Sequence, residues 1–152
     1  MSGLSQTNAV RQFIAIVVGE SSDNKDEAAA VGSVLMNRLS AKGGTVIDGF
    51  VKKIDRGHPK KEYKAIGKKD YKYVMNHSWD VILKPKKYAL RIEGALLALS
   101  GTDYSKGAYF WNQTSDKTGS NWDAYNKGIF VITCALGAST FFKYKDPNKK
   151  WP

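Results

Sequence analysis

Glu20 stands where an apolar run meets a polar turn, in Ile16-Val17-Val18-Gly19-Glu20-Ser21-Ser22. A carboxylate half removed from water is penalised in its charged form, so its pKa rises and it can hold a proton near neutral pH. That is what a general acid requires. The plainer alternative is a helix-end carboxylate facing water, the commoner fate of a lone Glu. Further along, Tyr109-Phe110-Trp111-Asn112-Gln113 and Trp122 combine aromatic faces with amide groups, the two kinds of contact a sugar chain takes. In alternating strand geometry Tyr109 and Trp111 share one face and Phe110 takes the other, and one of these faces is core. Tyr109 and Trp111 are the rings expected to meet sugar, the alternative being that they line the core between the sheet and the helices.

The elements that must position these groups follow from periodicity. Val10, Phe13, Ile14 and Val17 form one apolar stripe and predict a helix over 9–18, with Asn8 as its cap and Gly19 as its stop. Asn24 then caps a second helix over 25–41, with Asp26 and Glu27 in the first turn, where the helix dipole favours anions. Ala28, Val31, Leu35 and Leu39 are its buried stripe, Gly32-Ser33 allow close packing, and Gly43-Gly44 end it. Asn37-Arg38 reads first as a cation at the helix end. Residues 45–87 read as short helices and loops, and 87–100 as a helix closed by Gly101. Segments 107–112, 128–134 and 139–144, rich in aromatic and β-branched residues, read as three strands, with 113–126 a loop long enough to cover a site.

The order of these pieces resembles the spore-cortex-lytic and cell-wall hydrolase family named after SleB and CwlJ. The resemblance spans roughly residues 9–144. It is carried by Gly19-Glu20, by Val34-Leu35-Met36-Asn37-Arg38, by Gly107-Ala108-Tyr109-Phe110-Trp111-Asn112, and by Leu136-Gly137-Ala138-Ser139-Thr140-Phe141-Phe142. Ser139 stands where that family usually has a His, so the role of that His does not carry over. The resemblance implies an α+β, mostly α, lysozyme-like body with a small antiparallel sheet, and Glu20 as the catalytic acid. It implies lytic transglycosylation: the Glu protonates the bond between N-acetylmuramic acid and N-acetylglucosamine, then accepts the proton of the muramyl 6-hydroxyl as a 1,6-anhydro ring closes. Tyr109, Trp111, Asn112, Gln113, Trp122 and Ser139 are the expected substrate-binding set.

A hydrolase using water would need a second carboxylate. Asp23 and Asp26 are explained by the turn and the helix start, and Asp103 by its own turn. Asp116 and Asp123 could approach Glu20 only through the fold. One carboxylate favours transglycosylation, with a water-using muramidase as the alternative.

At 152 residues the chain has the length of one catalytic domain, 1–152, able to bury roughly 70% of its unfolded surface. Its termini, 1–6 and 145–152, are expected to be flexible tails. A net charge of +10 favours polyanionic partners without choosing among them. Lys52, Lys53, Arg56, Lys60, Lys61, Lys64, Lys68, Lys69 and Lys72, interleaved with Tyr63, Tyr71 and Tyr73, would hold the protein on an anionic wall. They would also suit a nucleic-acid-binding or phage structural module, the reading from a different class. Nucleic acid is not the expected partner; peptidoglycan glycan strands are.

Cys134 lies in an apolar run and reads as a small hydrophobe. His58 and His77 lack metal-site spacing, so neither a metal nor another cofactor is expected. No apolar segment is long enough to span a membrane, and no signal peptide is read. Synthesis in the cytoplasm and action on a target cell's wall are therefore expected, by specialised secretion or phage lysis. An antibacterial effector with an immunity protein or a secretion-machine component as partner fits that setting.

Overall fold

The computed structural model describes residues 3–43, 63–84 and 86–151. It is an α+β structure, mostly α: helices α1 (Gly3–Glu20), α2 (Lys25–Ala41), α3 (Lys69–Asn76), α4 (Trp79–Leu83) and α5 (Ala89–Leu99) precede strand β1 (Phe110–Gln113). Helix α6 (Ser120–Asn126) and strands β2 (Phe130–Leu136) and β3 (Ser139–Tyr144) follow. The antiparallel sheet has the order β1-β3-β2.

α1 is the central helix. Phe13 through Val18 are all buried, so it is apolar on every side over this stretch and not merely along one stripe. It begins at Gly3, placing Asn8 inside the helix and not at its cap, and it makes residues 3–6 helical where a tail was expected. Gly19 does not stop it; the helix runs on through Glu20.

α2 is capped as expected: Asn24 Oδ1 accepts from Glu27 N at 2.9 Å, and Gly43 beyond its end has φ +69°. The helix packs along α5 at points where no side chain would fit. A Cβ on Gly32 would come within 2.6 Å of Ala98 Cβ, and one on Gly94 within 2.5 Å of Lys25 O. A methyl group at either place would force the helices apart, a kind of overpacking that costs about 1–3 kcal/mol.

The sheet lies between two apolar layers. Phe141 and Phe142, adjacent on central β3, are both fully buried on opposite faces. Phe141 joins the main core with α1, α2 and α5, while Phe142 packs with Trp122 and Phe130 in a smaller one. The segment 113–126 is thus not simply a loop, because Trp122 pulls its second half down as α6. The C-terminal segment, expected as a tail, is also anchored: Trp151 is buried, 5.6 Å from the Phe110 ring.

Within the basic, tyrosine-rich run, Lys52, Lys53, Arg56, Lys60 and Lys61 lie outside the described residues, as do Val46-Ile47, Phe50-Val51, His58 and Gly44. The described lysines, Lys64, Lys68, Lys69 and Lys72, are exposed. The tyrosines are at least partly packed into the protein. Tyr63 is fully buried, Tyr71 accepts from Gln12 Nε2 at 3.1 Å, and Tyr73 stacks on His77 with ring centres 4.2 Å apart.

Candidate functional site

Glu20 ends α1 on the wall of an open cleft of about 810 Å³ between the helical body and the sheet. The apolar length of α1 lies directly behind it, and burial pushes its carboxyl above the ordinary value of 4.5. Four influences work against that rise: the Ala65 N–H, which donates to Oε1 at 3.1 Å, the charges of Arg38 and Lys64, and the Lys64 N–H. Gly19 explains how Ala65 reaches it. A Cβ at Gly19 would lie 2.5 Å from Ala65 Cβ, so the missing side chain lets the 63–66 turn press against the end of α1. The Gly-Glu pair is a close-approach site next to the carboxylate it serves.

Glu27 lines the same cleft, and nothing in the sequence had marked it as more than a first-turn anion. It is almost fully buried. Its Oε1 accepts from Ser22 N at 2.6 Å, and its Oε2 from Ser22 Oγ at 3.0 Å and Ala138 N at 2.5 Å. It therefore fastens the α1–α2 turn to the β2–β3 turn. Gly137 makes this possible in two ways: its φ of +55° suits glycine, and a Cβ there would collide with Glu27 Oε2. The spacing Asn24 to Glu27 is that of a capping box, in which the third residue turns back over the helix start. That was the signal available, although Glu27 reaches past the cap to Ser22 and Ala138.

Asn37 and Arg38 do not serve the end of α2. Asn37 Nδ2 donates to Ala108 O at 3.0 Å and to Asp103 Oδ2 at 3.1 Å, and Arg38 Nε donates to Tyr109 O at 2.9 Å. Together they grip consecutive carbonyls of the segment that leads into β1. Arg38 also donates to Tyr63 Oη at 3.1 Å and lies 3.8 Å from the Trp151 ring and 5.3 Å from that of Trp111. The rings and carbonyls replace the water that burial takes from this guanidinium. Phe110, Trp111 and Trp151 are the aromatic rings on the cleft wall.

The expected binding residues divide. Trp111, Asn112, Gln113 and Ser139 line the cleft. Tyr109 does not; burial and the neighbouring Asp103 push its hydroxyl pKa up on another side of the strand. Phe110, assigned to the far face, does line it. It does so with Trp111, Asn112 and Gln113, because the cleft takes consecutive residues of β1 and not one face. Tyr109 N donates to Phe142 O at 2.9 Å while Phe110 is the register partner of Phe142, so two residues oppose one and the alternation between Tyr109 and Trp111 is broken. Trp122 is a core residue, its Nε1 donating to Gln113 O at 3.1 Å. Asn112 is partly committed to shape, since its Nδ2 donates to Asp116 O at 3.0 Å.

Among the other carboxylates, Asp103 is used within its own turn, accepting from Ser105 N at 2.9 Å and Gly107 N at 2.8 Å. Asp123 pairs with Lys127 at 2.9 Å on the surface. Asp116 does reach the cleft, where the Thr118 hydroxyl and N–H hold its carboxyl below the usual range. Cys134 is half-buried and its thiol is pushed up by burial, the behaviour of a packing residue. Among the described residues no three His, Cys, Asp or Glu side chains gather as metal ligands, and no helix is long and apolar enough to cross a membrane.

Comparison of the chain with protein-family models, with curated proteins and with solved structures finds no match in any of the three.

Proposed function

We propose that this protein cleaves the glycan strands of peptidoglycan as a lytic transglycosylase of the SleB and CwlJ kind, with a lysozyme-like division between helical body and sheet. The observation that carries the reading is Glu20: a carboxyl with its pKa raised by burial, on the wall of a cleft that also presents Trp111 and Phe110 and the side-chain amides of Gln113 and Asn121. A raised pKa leaves a proton on Glu20 to give to the glycosidic oxygen. The carboxylate so formed is stabilised by the Ala65 N–H and by the charges of Arg38 and Lys64, and it can then accept the muramyl 6-hydroxyl proton. The rings offer flat apolar faces for sugars and the amides give direction.

A second reading, hydrolysis, is favoured by one observation. Asp116 lines the same cleft and is held ionised, as a base activating water would need to be. Glu27 is a weaker candidate for that work because three donors already occupy its oxygens. The burial of Tyr63 and the packing of Tyr71 and Tyr73 weigh against nucleic-acid stacking on the tyrosine-rich run.

The test is digestion of purified sacculi with wild type, Glu20→Gln and Asp116→Asn, with released muropeptides read by mass spectrometry. Anhydro products lost only in Glu20→Gln are expected. Hydrated products lost in both variants would move the assignment to the muramidase, and no release by the wild type would remove it.

A further inference from the structure

β1 is an edge strand, and its open edge has an unusual composition. Thr114 N donates to Ala138 O at 2.9 Å, and the register pairs Gln113 with Ser139 and Asn112 with Thr140. By antiparallel alternation, Asn112 and Thr114 turn their backbone groups toward β3, and Trp111 and Gln113 turn theirs outward. The outward carbonyls are already taken. Trp111 O accepts from Asn121 Nδ2 at 2.9 Å and Gln113 O from Trp122 Nε1 at 3.1 Å, while just before the strand Tyr109 O accepts from Arg38 Nε at 2.9 Å. The outward N–H groups of Trp111 and Gln113 meet no such partner among the described residues.

The edge therefore offers donors alone. An added β-strand must both give and receive hydrogen bonds, so this edge suits a ligand that only accepts. Phe110, Trp111, Asn112 and Gln113 all line the Glu20 cleft, as they would if the cleft ran along the strand's edge and not over one face. Residues two apart in a strand are separated by about 7 Å, too far for one oxygen to serve both N–H groups.

We propose that the outward N–H groups of Trp111 and Gln113 bind two amide carbonyl oxygens of the glycan strand in the cleft. This rests on the proposed function. The acceptors come either from the acetamido groups of the sugars or from the amide that joins the stem peptide to muramic acid, and the experiment separates these sources.

Gln113→Pro deletes one outward N–H and no ladder bond, a substitution that an edge strand tolerates, but it also removes the side-chain amide, so Gln113→Ala, which lacks that amide and keeps the N–H, is the reference. kcat/KM is measured for Gln113→Ala and Gln113→Pro on intact glycan, on de-N-acetylated glycan and on glycan stripped of its peptides. Free amines on the second substrate affect both proteins alike, so the ratio of Gln113→Ala to Gln113→Pro is the quantity read. About fivefold is expected on intact glycan. A fall of the ratio to one on the de-N-acetylated substrate assigns the acetamido oxygen, and a fall on the stripped substrate assigns the peptide amide. A ratio that is the same on all three overturns the inference while leaving the enzyme's function in place. No Glu20-dependent cleavage of any substrate removes both.

Should Gln113→Pro fold poorly, the backbone amide resonances of Trp111 and Gln113 in Glu20→Gln decide the matter. They are expected to shift on titration with glycan fragments carrying both N-acetyl groups and stem peptides, and to lose that shift when one of the two is removed. A shift unaffected by either removal, or no shift at all, overturns the inference.

Discussion

Replacing Glu27 should loosen the frame around the cleft by an amount that its hydrogen bonds set. The side chain is almost completely buried and accepts from two main-chain N–H groups, Ser22 and Ala138, and from the Ser22 hydroxyl. Hydrogen bonds to a charged group contribute about 1.5–3 kcal/mol each, and a buried donor left without a partner costs about 1–3 kcal/mol. Glu27→Ala removes all three acceptor contacts, but the site borders an open cleft, so water can replace part of what is lost. The expected destabilisation is about 2–4 kcal/mol, a large share of an ordinary domain's stability. Glu27→Gln keeps the shape and one acceptor oxygen but turns an amide NH2 toward an N–H donor, for about 1–2 kcal/mol. Ser22→Ala loses only the hydroxyl bond, about 1 kcal/mol. The two changes share one network, so Glu27→Gln with Ser22→Ala should cost less than their sum. Urea unfolding analysed by linear extrapolation measures the series. Should Glu27→Ala unfold within about 0.5 kcal/mol of wild type, or Ser22→Ala cost as much as Glu27→Ala, the clamp between the two turns would be refuted.

Three further outcomes follow from the site. Because burial raises the folded pKa of Glu20, its ionisation works against folding as pH rises through that value; Glu20→Gln should therefore be inactive yet more heat-stable than wild type at pH 7. The stability gap should shrink as pH falls toward 4.5, which thermal scans across pH would follow. Arg38→Met removes a cation that lowers the Glu20 pKa, so the basic limb of the pH–activity profile should move to higher pH, whereas Arg38→Lys, keeping the charge but not the planar fork, should leave the limb in place. Gly19→Ala should cost about 1–3 kcal/mol by pushing Ala65 away, and the loss of its N–H from Glu20 should move the same limb upward.

Much of the framework was legible in the sequence. Asn24 caps α2, Gly101 follows α5, and β3 occupies residues 139–144 as read, because each depends on short-range stereochemistry. The errors cluster where a second segment decided the outcome. Glu27 and Arg38 each had a sufficient local explanation, acid at a helix start and base at a helix end, and that explanation concealed partners 111 and 71 residues away. Trp122 looked like an exposed ring in a polar loop. Only the facing Phe130 and Phe142 make it a core residue, and α6 forms around it. Tyr109 parted from Trp111 because two residues oppose Phe142, an irregularity that a period of two does not reveal, and Phe110 lines the cleft because the cleft takes consecutive residues of β1.

Of the two glutamates on the cleft wall, the sequence marked Glu20 as a candidate acid and Glu27 as a first-turn anion, and the structure gives them different surroundings. Each sits beside a place where a glycine lets backbone approach. Gly19 admits Ala65, whose N–H reaches Glu20, and Gly137 admits the turn whose Ala138 N–H reaches Glu27. The device is the same and the donor count differs. Glu20, at the end of an apolar helix, accepts from the Ala65 N–H with the Lys64 N–H a weaker influence, so desolvation remains the largest influence on it and its proton is held above the ordinary carboxylate range. Glu27 accepts from three donors on two turns, and its oxygens are committed to holding those turns together. Moving a donor from one acid to the other should exchange stability for proton transfer. On this basis the pair, and not Glu20 alone, defines the cleft: one acid holds its walls and the other is left able to give up a proton within them.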